Sequence, residues 1–203
     1  EIDDLLTDPD VDMILELIGG DTVALELTRR ALAAKKPVVT ANKAVLAAHG
    51  NELMSGHGQQ LLRFEAAVAG AIPIIQGMSG GLAANRLASL FGIINGTCNY
   101  ILTQMESEGS GFGDVLADAQ QMGYAEAEPS LAVDGFDAQH KTGILASLAH
   151  GFWVKPSQVC VEGGGHITPL DIQFARRLGY CVKLLGIVKK LGGKVQIAVH
   201  PAL

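Results

Sequence analysis

The chain has 203 residues, enough for one large domain or two small ones. Hydrophobic residues at 48% against charged residues at 18% exclude wholesale disorder, and aromatics at only 5% beside 25 glycines describe an aliphatic core joined by Gly-rich loops. Fifteen Lys and Arg against 21 Asp and Glu leave a formal charge of -6 without a basic run, so no nucleic-acid partner is expected; no apolar stretch approaches the ~20 residues of a membrane helix, so no membrane is expected either.

The first predicted element is a buried strand over residues 11–18 (VDMILELI), ending at Gly19-Gly20. Asp21 is placed to cap a helix whose apolar stripe is Val23, Leu27 and Ala31. Residues 37–40 (PVVT) read as a second strand, and residues 44–49 as a helix that stops at Gly50. Strand, helix, strand, helix with short connections predicts a parallel α/β sheet, the later half of a doubly wound nucleotide-binding domain. A domain change is expected near residues 50–58, where Gly and polar residues concentrate. Residues 61–68 (LLRFEAAV) predict another strand, broken at residues 70–73, with Pro73 starting a helix. Residues 87–95 form the next predicted strand, Gly96-Thr97 turns it, and residues 99–106 continue as a helix. Phe112, Val115, Leu116, Ala119 and Met122 mark a helix ending at Gly123, and residues 136–148 another. Residues 159–161 read as a strand and residues 170–178 as an amphipathic helix. Residues 182–189 and 195–200 flank Leu191-Gly192-Gly193 and predict a hairpin.

Residues 123–141 (GYAEAEPSLAVDGFDAQHK) carry Glu126, Glu128, Asp134, Asp137 and Lys141 through one loop-to-helix passage. Asp137 and Lys141 are four apart, hence on one helical face, with Asp134 a turn earlier. One reading is a solvated surface ion pair. The other is a Lys held among carboxylates and apolar walls, able to exchange a proton with a substrate hydroxyl or carbonyl. Lys43 follows a short strand within Thr40-Ala41-Asn42-Lys43, where a cofactor phosphate or substrate carboxylate would bind in a doubly wound sheet; an ordinary polar loop is the other reading. Gly19-Gly20 occupies another such strand end. Gly109-Ser110-Gly111-Phe112-Gly113 and Gly163-Gly164-Gly165 read as connectors. Cys98, Cys160 and Cys181 form no CxxC, which points to a reducing, cytoplasmic setting. The six His residues make no HxH or HExxH pair, so no transition-metal site is expected.

In five long ordered segments the chain resembles homoserine dehydrogenases: residues 38–43 (VVTANK), 64–75 (FEAAVAGAIPII), 92–102 (GIINGTCNYIL), 123–141 as quoted, and 178–188 (LGYCVKLLGIV). The resemblance implies an α/β fold, a partial doubly wound nucleotide-binding domain followed by a mixed-sheet catalytic and dimerisation domain. On this reading residues 1–55 are the C-terminal half of a Rossmann-like NAD(P)-binding domain and residues 56–203 the catalytic domain, cut short before its final segment. It implies interconversion of L-homoserine and L-aspartate 4-semialdehyde with NADP or NAD, toward threonine, methionine and isoleucine, by a cytoplasmic homodimer or higher homo-oligomer. Lys141 resembles the general acid/base of the DGxDxxxK motif, and Lys43 the partner lysine of the TANK motif, near cofactor and substrate. Glu126 and Asp137 resemble the carboxylates that receive the homoserine ammonium, and Gly96-Thr97 the turn that contacts substrate. Gly19 and Gly123 resemble cofactor-lining positions. A monovalent cation, typically sodium, would map to Glu65, Val68, Gly70 and Ile72, where a bent loop can offer carbonyl oxygens to a hard cation.

Two departures accompany the resemblance. The GxGxxG loop that would hold the pyrophosphate is not found after any predicted strand, and the acid expected three residues after Pro129 is Ala132, with Asp134 as its candidate substitute. They motivate an alternative, a non-catalytic substrate-binding or dimerisation module of the same family. A dehydrogenase for a related carbonyl substrate is a third reading, against which the Glu126/Asp137 pair argues.

Overall fold

The structure is a computed structural model that describes residues 2–70 and 72–203; Glu1, and Ala71 within the predicted break at 70–73, lie outside the described residues. The chain divides into two compact units, Glu1–Leu87 with Gly143–Pro156, and Ala88–Thr142 with Ser157–Leu203.

The first unit opens with helix α1 (Ile2–Thr7), in an acidic segment for which no element is predicted. Strand β1 (Ile14–Glu16), helix α2 (Val23–Ala33), strand β2 (Val38–Thr40), helix α3 (Lys43–Leu53), the single turn α4 (Gly58–Leu61) and strand β3 (Leu62–Arg63) follow. The three strands form a parallel sheet in the order β1-β2-β3, with Ile14 opposite Val38 and Val38 opposite Leu62. This is the predicted parallel α/β arrangement, with two corrections. Burial in β1 alternates: Ile14 and Glu16 are buried while Leu15 is 65% exposed. The predicted eight-residue buried strand is therefore three residues long and covered on one face, and Leu17 and Ile18 belong to an exposed loop. The predicted strand over 61–68 likewise ends at Arg63, because Glu65–Ala67 coil into a 3-10 turn and Ala69 and Gly70 take left-handed backbone angles that bend the chain away.

Helix α2 buries Ala24, Leu25, Leu27, Thr28, Ala31 and Leu32, the i, i+3, i+4 stripe of a helix lying on a sheet. Val23, predicted to lead that stripe, is 55% exposed at the first helical position, and the cap position falls on Thr22, without a side-chain cap bond, not on Asp21. Helix α3 does not stop at Gly50. Gly50 is buried, and a Cβ there would lie 1.8 Å from the Trp153 ring. The glycine is a seat for the indole, whose Nε1 donates to the Leu46 carbonyl at 3.1 Å. A short helical stretch, α5 (Ile74–Gln76), begins after Pro73 as predicted and continues as a π-helical turn over Gly77–Gly81.

The second unit is built on strand β4 (Ser89–Gly92), helices α6 (Gly96–Glu108), α7 (Phe112–Gln121) and α8 (Ser130–Val133), helix α9 (Phe136–His150), strand β5 (Cys160–Val161), helix α10 (Pro169–Arg177) and the long strands β6 (Lys183–Leu191) and β7 (Lys194–Ala202). The division between the units falls inside α9, after Thr142. The sheet order is β4-β6-β7-β5, antiparallel except for β5 beside β7. Leu191 pairs with Lys194 across Gly192-Gly193, the predicted hairpin, with Gly192 left-handed. Leu184, Gly186 and Val188 point to the buried face, where Ile101, Leu102 and Met105 of α6 are also fully buried. Helix α6 begins at Gly96, not Asn99, because Asn95 caps it: its side chain accepts from the Cys98 N–H at 2.8 Å. No helix among the described residues is long and apolar enough to cross a membrane.

Candidate active site

In the second unit, Asp137 and Lys141 lie one turn apart on α9. Lys141 Nζ donates to Asp137 Oδ2 at 2.8 Å and to the Ile94 carbonyl at 3.2 Å. The two side chains are only 14% and 20% exposed, so this is not the solvated surface pair that spacing alone would allow. Asp137 Oδ2 accepts a second hydrogen bond, from Asn95 Nδ2 at 2.9 Å. The segment after β4 thus bonds both members of the pair, a carbonyl from Ile94 on the ammonium and an amide from Asn95 on the carboxylate.

Two contacts fix that segment. Asn99 Nδ2 donates to the Asn95 and Leu184 carbonyls, and Asn99 Oδ1 accepts from the Leu184 N–H at 2.9 Å, which ties α6 to β6. Gly186 of β6 then leaves room for α9: a Cβ at that position would lie 2.3 Å from Thr142 Oγ1 and 2.6 Å from Ile94 Cδ1. Lys141 is next in sequence to Thr142, and its carbonyl acceptor belongs to Ile94.

The head of α6 carries the predicted turn. Gly96 is its first residue, and Thr97 Oγ1 donates to the Tyr124 carbonyl at 3.4 Å. The Tyr100 and Tyr124 rings lie 4.9 Å apart between centroids. The loop over residues 122–129 is therefore held beside the first turn of α6. Gly123 opens it in a left-handed conformation, and Gln120 Nε2 donates to the Glu126 carbonyl at 3.0 Å. The Glu126 side chain is exposed. Farther along, the Ser130 hydroxyl, and then its backbone N–H, hold the Glu128 carboxyl below its ordinary value. Ala132 is half-buried on α8 and Asp134 is exposed at its end.

In the first unit, Lys43 is the first residue of α3, half-buried, immediately after the capping residue Asn42. Asn42 Oδ1 accepts from the Val45 N–H, and its Nδ2 donates to the carbonyls of Ile18 and Gly20 at 2.9 and 2.6 Å. Thr40 Oγ1 accepts from the Asn42 N–H at 2.9 Å and donates to Glu16 Oε2 at 2.5 Å; Glu16 Oε1 accepts from the Ile18 N–H. Glu16 is fully buried. One polar network thus joins the carboxyl ends of β1 and β2 and shapes the exposed Gly19-Gly20 turn. An acid inside an apolar strand run demands such partners, and that was the available signal for Glu16. Asn95 is an Asn at a strand–helix junction, so its cap is legible in sequence; its bond to a residue 42 positions on is not.

The loop mapped for a cation is bent at Ala69 and Gly70. Glu65 Oε1 and Oε2 accept from the N–H groups of Ile75 and Gln76 at 2.9 and 2.8 Å, and the Ile72 carbonyl accepts from Ile74. Among the described residues no group of three or more His, Cys, Asp or Glu side chains could hold a metal ion.

A family model described as homoserine dehydrogenase matches residues 73–203, and one described as the NAD-binding domain of homoserine dehydrogenase matches residues 1–62. The chain belongs to the homoserine dehydrogenase family. A relative from Pseudomonas aeruginosa, named homoserine dehydrogenase, is 46% identical over 205 residues, covering 100% of this chain and 47% of its own length. A crystal structure of a homoserine dehydrogenase from Thiobacillus denitrificans superposes with a TM-score of 0.95 at 45% identity, over 100% of this chain and 48% of that one. A hyperthermophilic archaeal homoserine dehydrogenase in complex with NADPH matches with a TM-score of 0.75 at 26% identity, over 92% of this chain and 55% of that one. The chain therefore spans about half the length of the relatives it matches. The expected fold, a parallel nucleotide-binding sheet and a mixed catalytic sheet, is the fold of this family.

Proposed function

We propose that the protein to which this chain belongs interconverts L-homoserine and L-aspartate 4-semialdehyde by hydride transfer to and from a nicotinamide cofactor, with Lys141 as the general acid and base. The observation that carries this reading is the secluded Lys141–Asp137 pair on α9, inside a chain of this family. The bound nicotinamide supplies the hydride. The protein's part is proton transfer and orientation. In reduction, charge develops on the aldehyde oxygen, and the Lys141 ammonium stabilises and protonates it. In oxidation, the neutral amine accepts the hydroxyl proton. Asp137 holds the lysine through Oδ2 and, with Glu126, is assigned to the substrate ammonium. Gly96 and Thr97 at the head of α6 are assigned to the substrate, and Gly123 to the cofactor.

Lys43 and Gly19 are assigned to the cofactor. Their support is the buried Glu16–Thr40–Asn42 network, which fixes the strand ends where such sheets bind nucleotides. The archaeal relative is in complex with NADPH; NADP or NAD is assigned here. The division at residues 55 and 56 separates nucleotide binding from catalysis and dimerisation. A homodimer is proposed through the open face of the second sheet, where Phe91 is 70% and Ile93 56% exposed. Its setting is cytoplasmic, in the route to threonine, methionine and isoleucine. A sodium ion would be held by Glu65 and the carbonyls of Val68, Gly70 and Ile72. The left-handed bend at Ala69 and Gly70 and the affinity of hard cations for oxygen donors support this reading, and the ion would brace the loop.

The test is NADP+ or NAD+ reduction by the full-length protein with L-homoserine, against L-serine and L-threonine. Turnover confined to homoserine supports the reading. Turnover of another substrate alone points to a related dehydrogenase, and none to a non-catalytic module; both refute it.

A further inference from the structure

We infer that Asn95 is a positioning residue, acting through Asp137 to set the orientation and charge balance of the Asp137–Lys141 pair. The inference rests on the role proposed above for that pair, but its geometry stands without it. Asn95 is buried and uses every polar group of its side chain: Oδ1 accepts from the Cys98 N–H, and Nδ2 donates to Asp137 Oδ2 at 2.9 Å. Its main-chain carbonyl accepts from Asn99 Nδ2, which is itself tied to β6. The amide is thus held from behind by a helix start and a strand, and can present only its donor to Asp137.

Capping alone does not require this residue. Ser, Thr and Asp cap helices about as well as Asn. A Ser or Thr hydroxyl is a single short atom and Asp has no donor when ionised, whereas the Asn95 amide accepts from the first turn of α6 through Oδ1 and reaches the carboxylate with a separate donor, Nδ2. A neutral donor on Oδ2 stabilises the ionised carboxylate without adding charge, so the lysine faces one full negative charge rather than two. It also fixes which oxygen the lysine binds, and so the plane of the carboxylate assigned to the substrate ammonium.

The contacts of the Lys141 ammonium define its electrostatics. On its own helix there is Asp137, and on the segment after β4 the Ile94 carbonyl. Strand β6 is tied to α6 through Leu184 and Asn99, and none of its residues from Leu184 to Val188 titrates. On α6, next to the Asn95 cap, the Cys98 thiol lies against Gly164 and is pushed up to about 11 by burial, opposed in part by a hydrogen bond from the Gly164 backbone. The loop after α7 carries Tyr124, whose carbonyl accepts from Thr97, and the exposed Glu126.

Two replacements that keep the cap separate the roles. Asn95→Ser accepts from the α6 turn but is too short to reach Asp137. In the full-length protein the KM for homoserine should rise about ten- to hundredfold, with kcat changed less. Asn95→Asp puts a second carboxylate against the first. The ammonium form of Lys141 is then favoured, and the pH at which homoserine oxidation reaches half its rate should move up by at least about one unit. Titration of the Lys141 side chain by NMR in 13C-lysine-labelled protein, assigned with Lys141→Arg, reads the same shift without turnover. If wild-type protein fails to oxidise homoserine, the functional reading fails while the titration still decides this inference. An upward shift of Lys141 in Asn95→Asp supports it. Equal midpoints in Asn95→Asp and wild type overturn it, as does an unchanged KM in Asn95→Ser of an active enzyme.

Discussion

Gly186→Ala is the substitution in which strand packing and the Lys141–Asp137 pair meet. The added methyl would lie 2.3 Å from Thr142 Oγ1 and 2.6 Å from Ile94 Cδ1. Both are about 1 Å short of ordinary contact. Neither neighbour gives way freely. Thr142 is fully buried in the middle of α9 with its hydroxyl bonded to the Ala138 carbonyl, and Ile94 is followed directly by the cap of α6. Overpacking of this kind costs about 1–3 kcal/mol. Relief by moving α9 displaces Lys141, the next residue; relief by moving Ile94 displaces the carbonyl that Lys141 binds. If Lys141 moves the proton as proposed, a shift of about 1 Å there costs on the order of a hundredfold in rate. The assay pairs urea unfolding with homoserine turnover in the full-length protein. Activity should fall by more than the loss of folded protein explains. Adding Thr142→Ala and Ile94→Val removes the two offending atoms and should restore much of both. Wild-type stability and turnover in Gly186→Ala would refute this account of the packing.

Other consequences are as direct. Gly50→Ala pushes a methyl into the ring of Trp153, the only tryptophan, so the fluorescence should shift to the red and the unfolding midpoint fall, again by about 1–3 kcal/mol; an unmoved spectrum contradicts the contact. Glu16→Leu removes the acceptors of the Thr40 hydroxyl and the Ile18 N–H from a fully buried position and should cost about 1–3 kcal/mol by urea titration, whereas an unchanged midpoint would mean the network contributes nothing. The Thr168 hydroxyl, and then its N–H, hold Asp171 below the ordinary carboxylate range in the capping box of α10. A lowered folded value contributes stability above the unfolded value and loses it as pH falls through the folded one. The stability advantage of wild type over Asp171→Asn should therefore be present at neutral pH and disappear in acid; an advantage that persists at low pH contradicts the assignment.

The sequence is most legible where one periodic signal dominates. The stripe of α2, the apolar run of α9 and the Gly192-Gly193 turn each announce an element that the structure contains. Strand lengths are less legible, since an apolar run does not reveal that one sheet face is left open, as at Leu15, or that a 3-10 turn interrupts it, as at Glu65. Gly50 reads locally as a helix stop, yet its reason for being glycine is an indole 103 positions later in the chain, and no local pattern encodes that. In the candidate site, the spacing of Asp137 and Lys141 exposes the pair directly. The supporting residues stay hidden because Asn95, Asn99 and Gly186 act through contacts between distant segments.

The central claim is that the Lys141 amine moves the proton. It is tested by following NADPH consumption with L-aspartate 4-semialdehyde in full-length wild type, Lys141→Ala and Lys141→Arg. The account predicts folded variants that still bind NADPH, with turnover lost by about a hundredfold or more in both, since arginine keeps the charge but does not release its proton near neutral pH. Turnover near the wild-type rate in either variant would contradict it.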